Sequence, residues 1–244
     1  MKDKRFTVKF ADSEEENTSA YALRYEEMLL EYRDDATSTD GLDVTEYDKY
    51  AKQVICIDNL TGKIAGCYRV VTSETLQDGH FISEEEFNID DLKVSGEKII
   101  ELSRAVVKKE YRNSPVLMHL LQFIISYIQE NDFRFVIGDA SFFGTDKSIY
   151  VKELSYLAHY HAIEDYNVVS KDEEQTPILP KEELNTREIL RSLPPLIRAY
   201  VTFGAKVSKT SFTDRDFGSV DVFILLDTKN YNKTLVNKLL AQFK

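Results

Sequence analysis

The chain has 244 residues, enough for one large domain with a substantial buried core. Hydrophobic residues make up 43% and charged residues 30%, an ordinary globular composition that excludes wholesale disorder. A formal net charge of −11, with no run of Lys and Arg to offset it, excludes non-specific nucleic-acid binding because phosphate repulsion would go unanswered.

The N-terminal Met1-Lys2-Asp3-Lys4-Arg5 is not followed by an apolar segment and does not read as a secretory signal. The apolar stretches fall short of the about 18 residues that a membrane span needs, so the expected location is cytoplasmic. Phe6-Thr7-Val8-Lys9-Phe10 alternates as a short strand. Ser13-Glu14-Glu15-Glu16 then opens a helix with a capping hydroxyl and an acidic first turn, and Tyr21, Arg24, Tyr25, Met28, Leu29 and Tyr32 recur along it. From Asp34 to Tyr50 the chain is polar and acidic, a predicted loop. Val54-Ile55-Cys56-Ile57, a turn at Asp58-Asn59-Leu60-Thr61-Gly62, and Ile64 to Val71 predict a hairpin. Cys56 and Cys67 lie in its two strands without a spaced His or Cys beside them. They are expected to be buried and reduced, and no metal site is expected.

Phe81 to Asp91 reads as an acidic connector, and Lys98 to Val107 as a strand carrying Glu101 and Arg104 among apolar residues. Ser114 and Pro115 predict a helix start, with Leu117, Leu120, Leu121, Ile124, Ile125 and Ile128 facing inward. Phe133 to Gly138 is the next strand, followed by a helix over Asp146 to His161. His159 and His161 read as surface or internally satisfied side chains. Residues 165–192, charged and holding Pro177 and Pro180, are expected to be an inserted excursion within one domain spanning 1–244. A helix from Pro194, strands at Ala205 to Val207 and Val220 to Leu226, and a last helix with Tyr231, Leu235, Leu239 and Phe243 along one stripe complete the chain. This order predicts an α/β domain with a mixed central sheet.

Three segments carry possible chemistry. In Glu101-Leu102-Ser103-Arg104, strand alternation puts Glu101 and Ser103 on one face and Arg104 on the other. Charges in a core strand need partners. Two readings stand open: a structural ion-pair network with Arg24, Asp43, Asp48 and Arg69, or a cleft in which Glu101 is a base tuned by those neighbours. The run from Val106 to Pro115 leads a strand through Lys108, Lys109 and Arg112 into a helix N-terminus, where backbone N–H groups and positive charge suit a phosphate. The third segment, Gly138 to Asp146, has small and polar residues at a strand end, just before a helix, and suits close approach of the backbone to a ligand.

The ordered set of Gly66-Cys67-Tyr68-Arg69-Val70, Glu101 to Val107, Tyr111-Arg112, Ala140 to Asp146, Pro194 to Tyr200 with Phe203-Gly204-Ala205, and Asp214-x-Asp216-Phe217 running into Asp221-Val222-Phe223 resembles the ornithine N-acyltransferase branch of the GNAT superfamily, once labelled hemolysin-like. The resemblance runs from about residue 20 to 227. Acyl-homoserine-lactone synthases and long-chain N-acyl amino acid synthases are similar at Arg24, Asp48, Arg69, Glu101 and Arg104.

The resemblance implies a GNAT-like fold and transfer of a fatty or 3-hydroxyacyl group from acyl carrier protein or coenzyme A to the amino group of ornithine or another amino acid, in aminolipid biosynthesis. Glu101, Ser103 and Arg104 would form the catalytic set, and Arg24, Asp43, Asp48 and Arg69 would bind the acceptor. Ala105, Val106, Val107, Lys108, Lys109, Arg112, Ser114 and Ser141 would hold the donor's phosphopantetheine arm. Pro115 and Leu117 stand where acetyl-coenzyme A turns carry small residues, which weakens a diphosphate cradle and favours acyl carrier protein as donor and partner. No permanently bound cofactor is implied, and contact with the inner membrane would be peripheral, through the product. Where the ornithine enzymes tend to have His, this chain has Gln53. A lactone-type signal synthase and a non-catalytic acyl-binding module are the other readings.

Overall fold

The computed structural model describes residues 5–32, 40–76 and 79–241. In chain order its strands are β1 (Phe6–Phe10), β2 (Lys52–Asp58), β3 (Lys63–Thr72), β4 (Phe87–Asn88), β5 (Ile99–Val107), β6 (Phe135–Phe143), β7 (Val169–Ser170), β8 (Lys206–Val207), β9 (Phe212–Asp214) and β10 (Ser219–Asp227). Its helices are α1 (Glu14–Arg24), α2 (Leu30–Tyr32), α3 (Asp90–Val94), α4 (Val116–Glu130), α5 (Val151–Tyr160), α6 (Thr186–Ser192), α7 (Pro195–Phe203) and α8 (Lys233–Ala241). The described residues fall into two compact units. One draws on Met1–Gln77, Ile100–Phe133 and Lys233–Lys244, the other on Asp78–Ile99 and Arg134–Asn232. Each is built of strands flanked by helices, the α/β class expected from the sequence.

In the first unit the strand order is β1-β2-β3-β5, every pair antiparallel. The predicted hairpin is present. The Asp58 carboxylate accepts the Leu60 N–H at 3.0 Å and the Tyr111 hydroxyl at 2.9 Å, while Gly62 closes the turn at φ +70°. Strand alternation divides the hairpin between two layers. Ile55, Cys67 and Val106 face Ala20 and Leu23 of α1. Gly66, next along β3, faces Val116 and Leu120 of α4, so closely that a Cβ there would lie 2.8 Å from both the Val106 oxygen and Val116 Cγ1. Ser13 caps α1 by accepting the Glu16 N–H at 3.2 Å, as predicted.

Helix α4 begins one residue later than expected, with Pro115 rather than Ser114 at the cap; the Ser114 hydroxyl accepts the Val116 N–H at 3.4 Å. Leu120, Leu121, Ile124 and Ile128 are buried on it, with Val116 added, and Leu117 and Ile125 are half-buried. Leu239 of α8 is buried as expected, with Val236 added and Leu235 half-buried, whereas Phe243 lies outside the described residues. Residues 34–39 of the expected acidic loop also lie outside them; the rest of that loop holds a short helical turn, Glu46–Lys49.

In the second unit β6 and β10 pair antiparallel over their full lengths, and β10 also carries β8 and β9. Strand β6 continues to Phe143, so most of the segment read as a strand-end loop is strand: Ser141 sits opposite Asp221. Cross-strand pairing outweighs the weak strand preference of Gly138 and Asp139. The apolar core gathers Ala140, Phe142, Leu154, Leu157, Ile197, Val201 and Val222. The excursion at 165–192 is tied down. Strand β7 pairs with β4, α6 forms beyond it, and the buried Lys147 ammonium donates to the Asp172 carboxylate at 2.6 Å and to the Glu174 and Ser211 carbonyls.

Candidate active site

The register between β3 and β5 slips by one residue: Cys67 pairs with Val106, but Arg69 pairs with Ser103. Strand β5 therefore carries one extra residue, a bulge, and Arg104 within it has φ +52°, the left-handed region that non-glycine residues seldom occupy. The expected alternation fails at this point. The sequence puts Arg104 on the face opposite Ser103, yet the bulge turns both into one hydrogen-bonded network, with Arg104 Nε donating to Asp43 Oδ2 at 2.9 Å.

That network lies wholly within the first unit. Arg24, at the end of α1, donates from Nε to Asp43 Oδ2 at 2.8 Å. Its Nη1 and Nη2 grip the two oxygens of Asp48 at 2.8 and 3.1 Å, a bidentate pair. Asp48 also accepts from the Thr45 N–H at 2.9 Å and from the Gln53 amide at 3.0 Å. Arg69 Nε donates to the Ser103 hydroxyl at 3.0 Å, and its Nη1 to Thr45 Oγ1 at 2.7 Å and Asp48 Oδ2 at 3.4 Å. The Arg24 and Arg69 side chains are completely buried.

Burial alone would raise both aspartates, but the neighbouring guanidinium groups outweigh it and hold Asp43 and Asp48 below the ordinary carboxylate range. Burial opposes the charge of Arg24, and the two aspartates overcome it. Arg69 is different: burial first, then repulsion from Arg104 and Arg24, lowers it to about 10. Glu101 is buried opposite Val71, on the Ser103 face of β5.

The basic turn after β5 is already engaged. The Lys108 N–H goes to the Ala65 carbonyl and the Lys109 N–H to Glu27 Oε2 at 2.9 Å, while those of Tyr111, Arg112 and Ser114 close local turns. Arg112 pairs with Glu31 at 2.7 Å and Glu27 at 3.4 Å. Free N–H groups were expected here; instead the carboxylate of Glu27 fills the place of an anion. Glu27 stands on Tyr25–Leu29, a single turn of π-helix that continues α1, an irregularity common beside functional sites. No sequence pattern signalled that contact, since it joins residues 82 apart.

Cys56 and Cys67 are buried free thiols, as expected, and burial pushes Cys67 up to about 12, which makes it a poor nucleophile. His159 contacts the Leu179 carbonyl at 2.7 Å and His161 the Tyr156 hydroxyl at 3.3 Å, satisfied as predicted. In the second unit sequence reasoning missed an acidic cluster. One carboxylate oxygen each of Glu86, Asp214 and Asp221 lies within 4.8 Å of the others. Burial, reinforced by Asp139, Asp221 and Asp214, pushes Glu86 up to about 11, so it keeps its proton at neutral pH.

The model of the acetyltransferase (GNAT) domain matches residues 23–122, the stretch that holds the network and its bulge. Among characterised relatives, the L-ornithine N(alpha)-acyltransferase of Agrobacterium fabrum is 30% identical over 90% of this chain and 80% of its own. That of Rhodobacter capsulatus is 26% identical over 92% and 90%. A CoA-dependent acyl-homoserine lactone synthase, BjaI, has a similar fold, with a TM-score of 0.50 and 11% identity over 94% of this chain and 82% of that one. With a match at 30% identity that spans 90% of this chain and 80% of that relative, and a GNAT domain around the bulged strand, the chain belongs to the L-ornithine N(alpha)-acyltransferase family and is an N-acyltransferase of the GNAT class.

Proposed function

We propose that this enzyme transfers a fatty or 3-hydroxyacyl group from acyl carrier protein, with coenzyme A as the lesser donor, to the α-amino group of ornithine or a related amino acid. The observation that carries the reading is the bulge in β5. It turns Arg104 and Ser103 into one buried network with Arg24, Asp43, Asp48 and Arg69, two residues from Glu101. The acceptor ammonium gives a proton to Glu101, directly or through water. The free amine attacks the thioester carbonyl, whose developing oxyanion is held by a backbone N–H of the bulge at Ala105 or Val106. The carbon–sulfur bond then breaks and the thiol leaves with a proton. Ser103 and Arg104 position Arg69 and Asp43. The pantetheine arm runs along Val107 towards Lys108, Lys109, Arg112 and Ser114, and the acidic donor carrier meets this basic turn. The enzyme works in the cytoplasm and meets the inner membrane only peripherally.

The test is thiol release from 3-hydroxyacyl carrier protein and from acyl-coenzyme A across amino acids and S-adenosylmethionine. Ornithine-dependent release by the wild type, reduced about 10²–10⁴-fold in Glu101→Gln, is the expected result. Full activity in that variant would remove Glu101 as the base.

A further inference from the structure

The bonds around the three arginines are unequal. Arg24 uses Nε, Nη1 and Nη2 on Asp43, Asp48 and Gln53. Arg69 uses only Nε and Nη1, on Ser103, Thr45 and Asp48. Its Nη2 is buried and has no hydrogen-bond partner among the described residues, on a side chain that is 0% exposed. A buried charged donor left unmatched costs more than a neutral one, so such a group implies an acceptor yet to arrive. The group that fits is anionic and compact, with an oxygen to accept from Nη2, which describes a carboxylate.

Position narrows the choice further. Ser103 pairs directly with Arg69, and Glu101 lies two residues along the same face. Diagonal neighbours of this kind are roughly 7–8 Å apart at Cα, within reach of long side chains. A molecule whose amine and carboxylate share one carbon can therefore present both groups to the pair at once. The aspartates offer less to a cationic side chain. Both oxygens of Asp48 accept from Arg24, and Asp43 is bonded to Arg24 and Arg104.

We propose that Arg69 is the specificity-determining residue that recognises the α-carboxylate of the acceptor, so that this cluster reads the amino-acid backbone and not the side-chain ammonium. The inference rests on the N-acyltransferase reading above. Arg104, paired with Asp43 and at 22% side-chain exposure, is the most open of the three arginines. Arg69 has lost much of its margin of charge to burial and to the two like-charged neighbours, and a bound carboxylate restores it.

The experiment compares L-ornithine with L-ornithinamide and putrescine, which lack the carboxylate, in wild type, Arg69→Lys and Arg69→Gln. The wild type is expected to favour ornithine by at least about 100-fold in kcat/KM. In Arg69→Gln the acceptor KM rises and the preference collapses toward unity, while the donor KM is unchanged; Arg69→Lys falls between. A merely structural arginine would lower activity on all three acceptors alike. Because Arg69→Gln also removes bonds to Ser103 and Thr45 and can fail to fold, calorimetry on the wild type, alone and with coenzyme A, supplies a second readout: ornithine binds and ornithinamide does not. Equal binding of the two, or binding of neither, overturns the proposal, as does a preference that survives in a folded Arg69→Gln. If calorimetry separates the ligands but no thiol is released from either donor, the transferase reading fails and the carboxylate site stands.

Discussion

Glu27 shows what single residues do at this site. Its carboxylate accepts the Lys109 N–H and pairs with Arg112, two donors that an incoming phosphate would also need. On the proposed donor path a phosphate would displace it, and part of the binding energy would go into that exchange. Glu27→Gln keeps the shape and removes the charge. It is expected to lower the KM for acyl-coenzyme A and acyl carrier protein several-fold with kcat unchanged; a raised KM would mean that Glu27 organises the turn instead of competing for it. The arginine–aspartate network was legible in part: Glu101 and Arg104 are charges in an apolar strand that require partners, and the resemblance to the lactone and N-acyl amino acid synthases singled out Arg24, Asp48 and Arg69. Which of them is left unsatisfied was not legible. That depends on side-chain geometry across α1, β3, β5 and the Thr45 turn, and no spacing in the sequence encodes it.

At the scale of elements, the hairpin of β2 and β3, strand β5 and helix α4 follow from alternation, turn residues and helical periodicity close to where they were predicted. The misses share a cause. Helix α6, strand β9 and the extension of β6 to Phe143 are stabilised by neighbours distant in sequence, which outweigh weak local preference. The bulge is the consequential case, since one extra residue reverses the face of everything beyond it. Gly66 holds the layers beside that bulge. Gly66→Ala forces its Cβ against the Val106 carbonyl and Val116, and neither is the free end of a flexible chain. A loss of about 1–3 kcal/mol in urea unfolding is expected, with thiol release falling as well because β5 must move. Unchanged stability would mean that α4 gives way without disturbing the strand.

At the scale of the molecule, stability should carry the signature of Glu86. Its folded value near 11 lies above the ordinary 4.5, so between those limits the folded chain keeps a proton that the unfolded chain has released. Stability then falls as pH rises through that window. Glu86→Gln removes the effect: its Tm is expected to exceed that of the wild type at pH 8, with the gap closing toward pH 4.5. A difference independent of pH would show that the cluster leaves Glu86 ionised. This cluster brings together residues from 86 to 221, and the sequence offers no sign of it beyond a general excess of acid.

By itself the sequence determined the α/β class, the hairpin and the main helices, the reduced cysteines and the acid–arginine set, because each is written in local periodicity, turn chemistry or the need of buried charges for partners. Among the described residues, no helix is long and apolar enough to cross a membrane, which the hydropathy had also indicated. Only the tertiary structure decided that Arg104 turns to join Ser103, that Glu27 fills the anion turn, that Arg69 holds an unmatched donor and that Glu86 keeps its proton. Each of these depends on register and burial between segments far apart in the chain, where a shift of one residue or a few tenths of an ångström changes which groups meet.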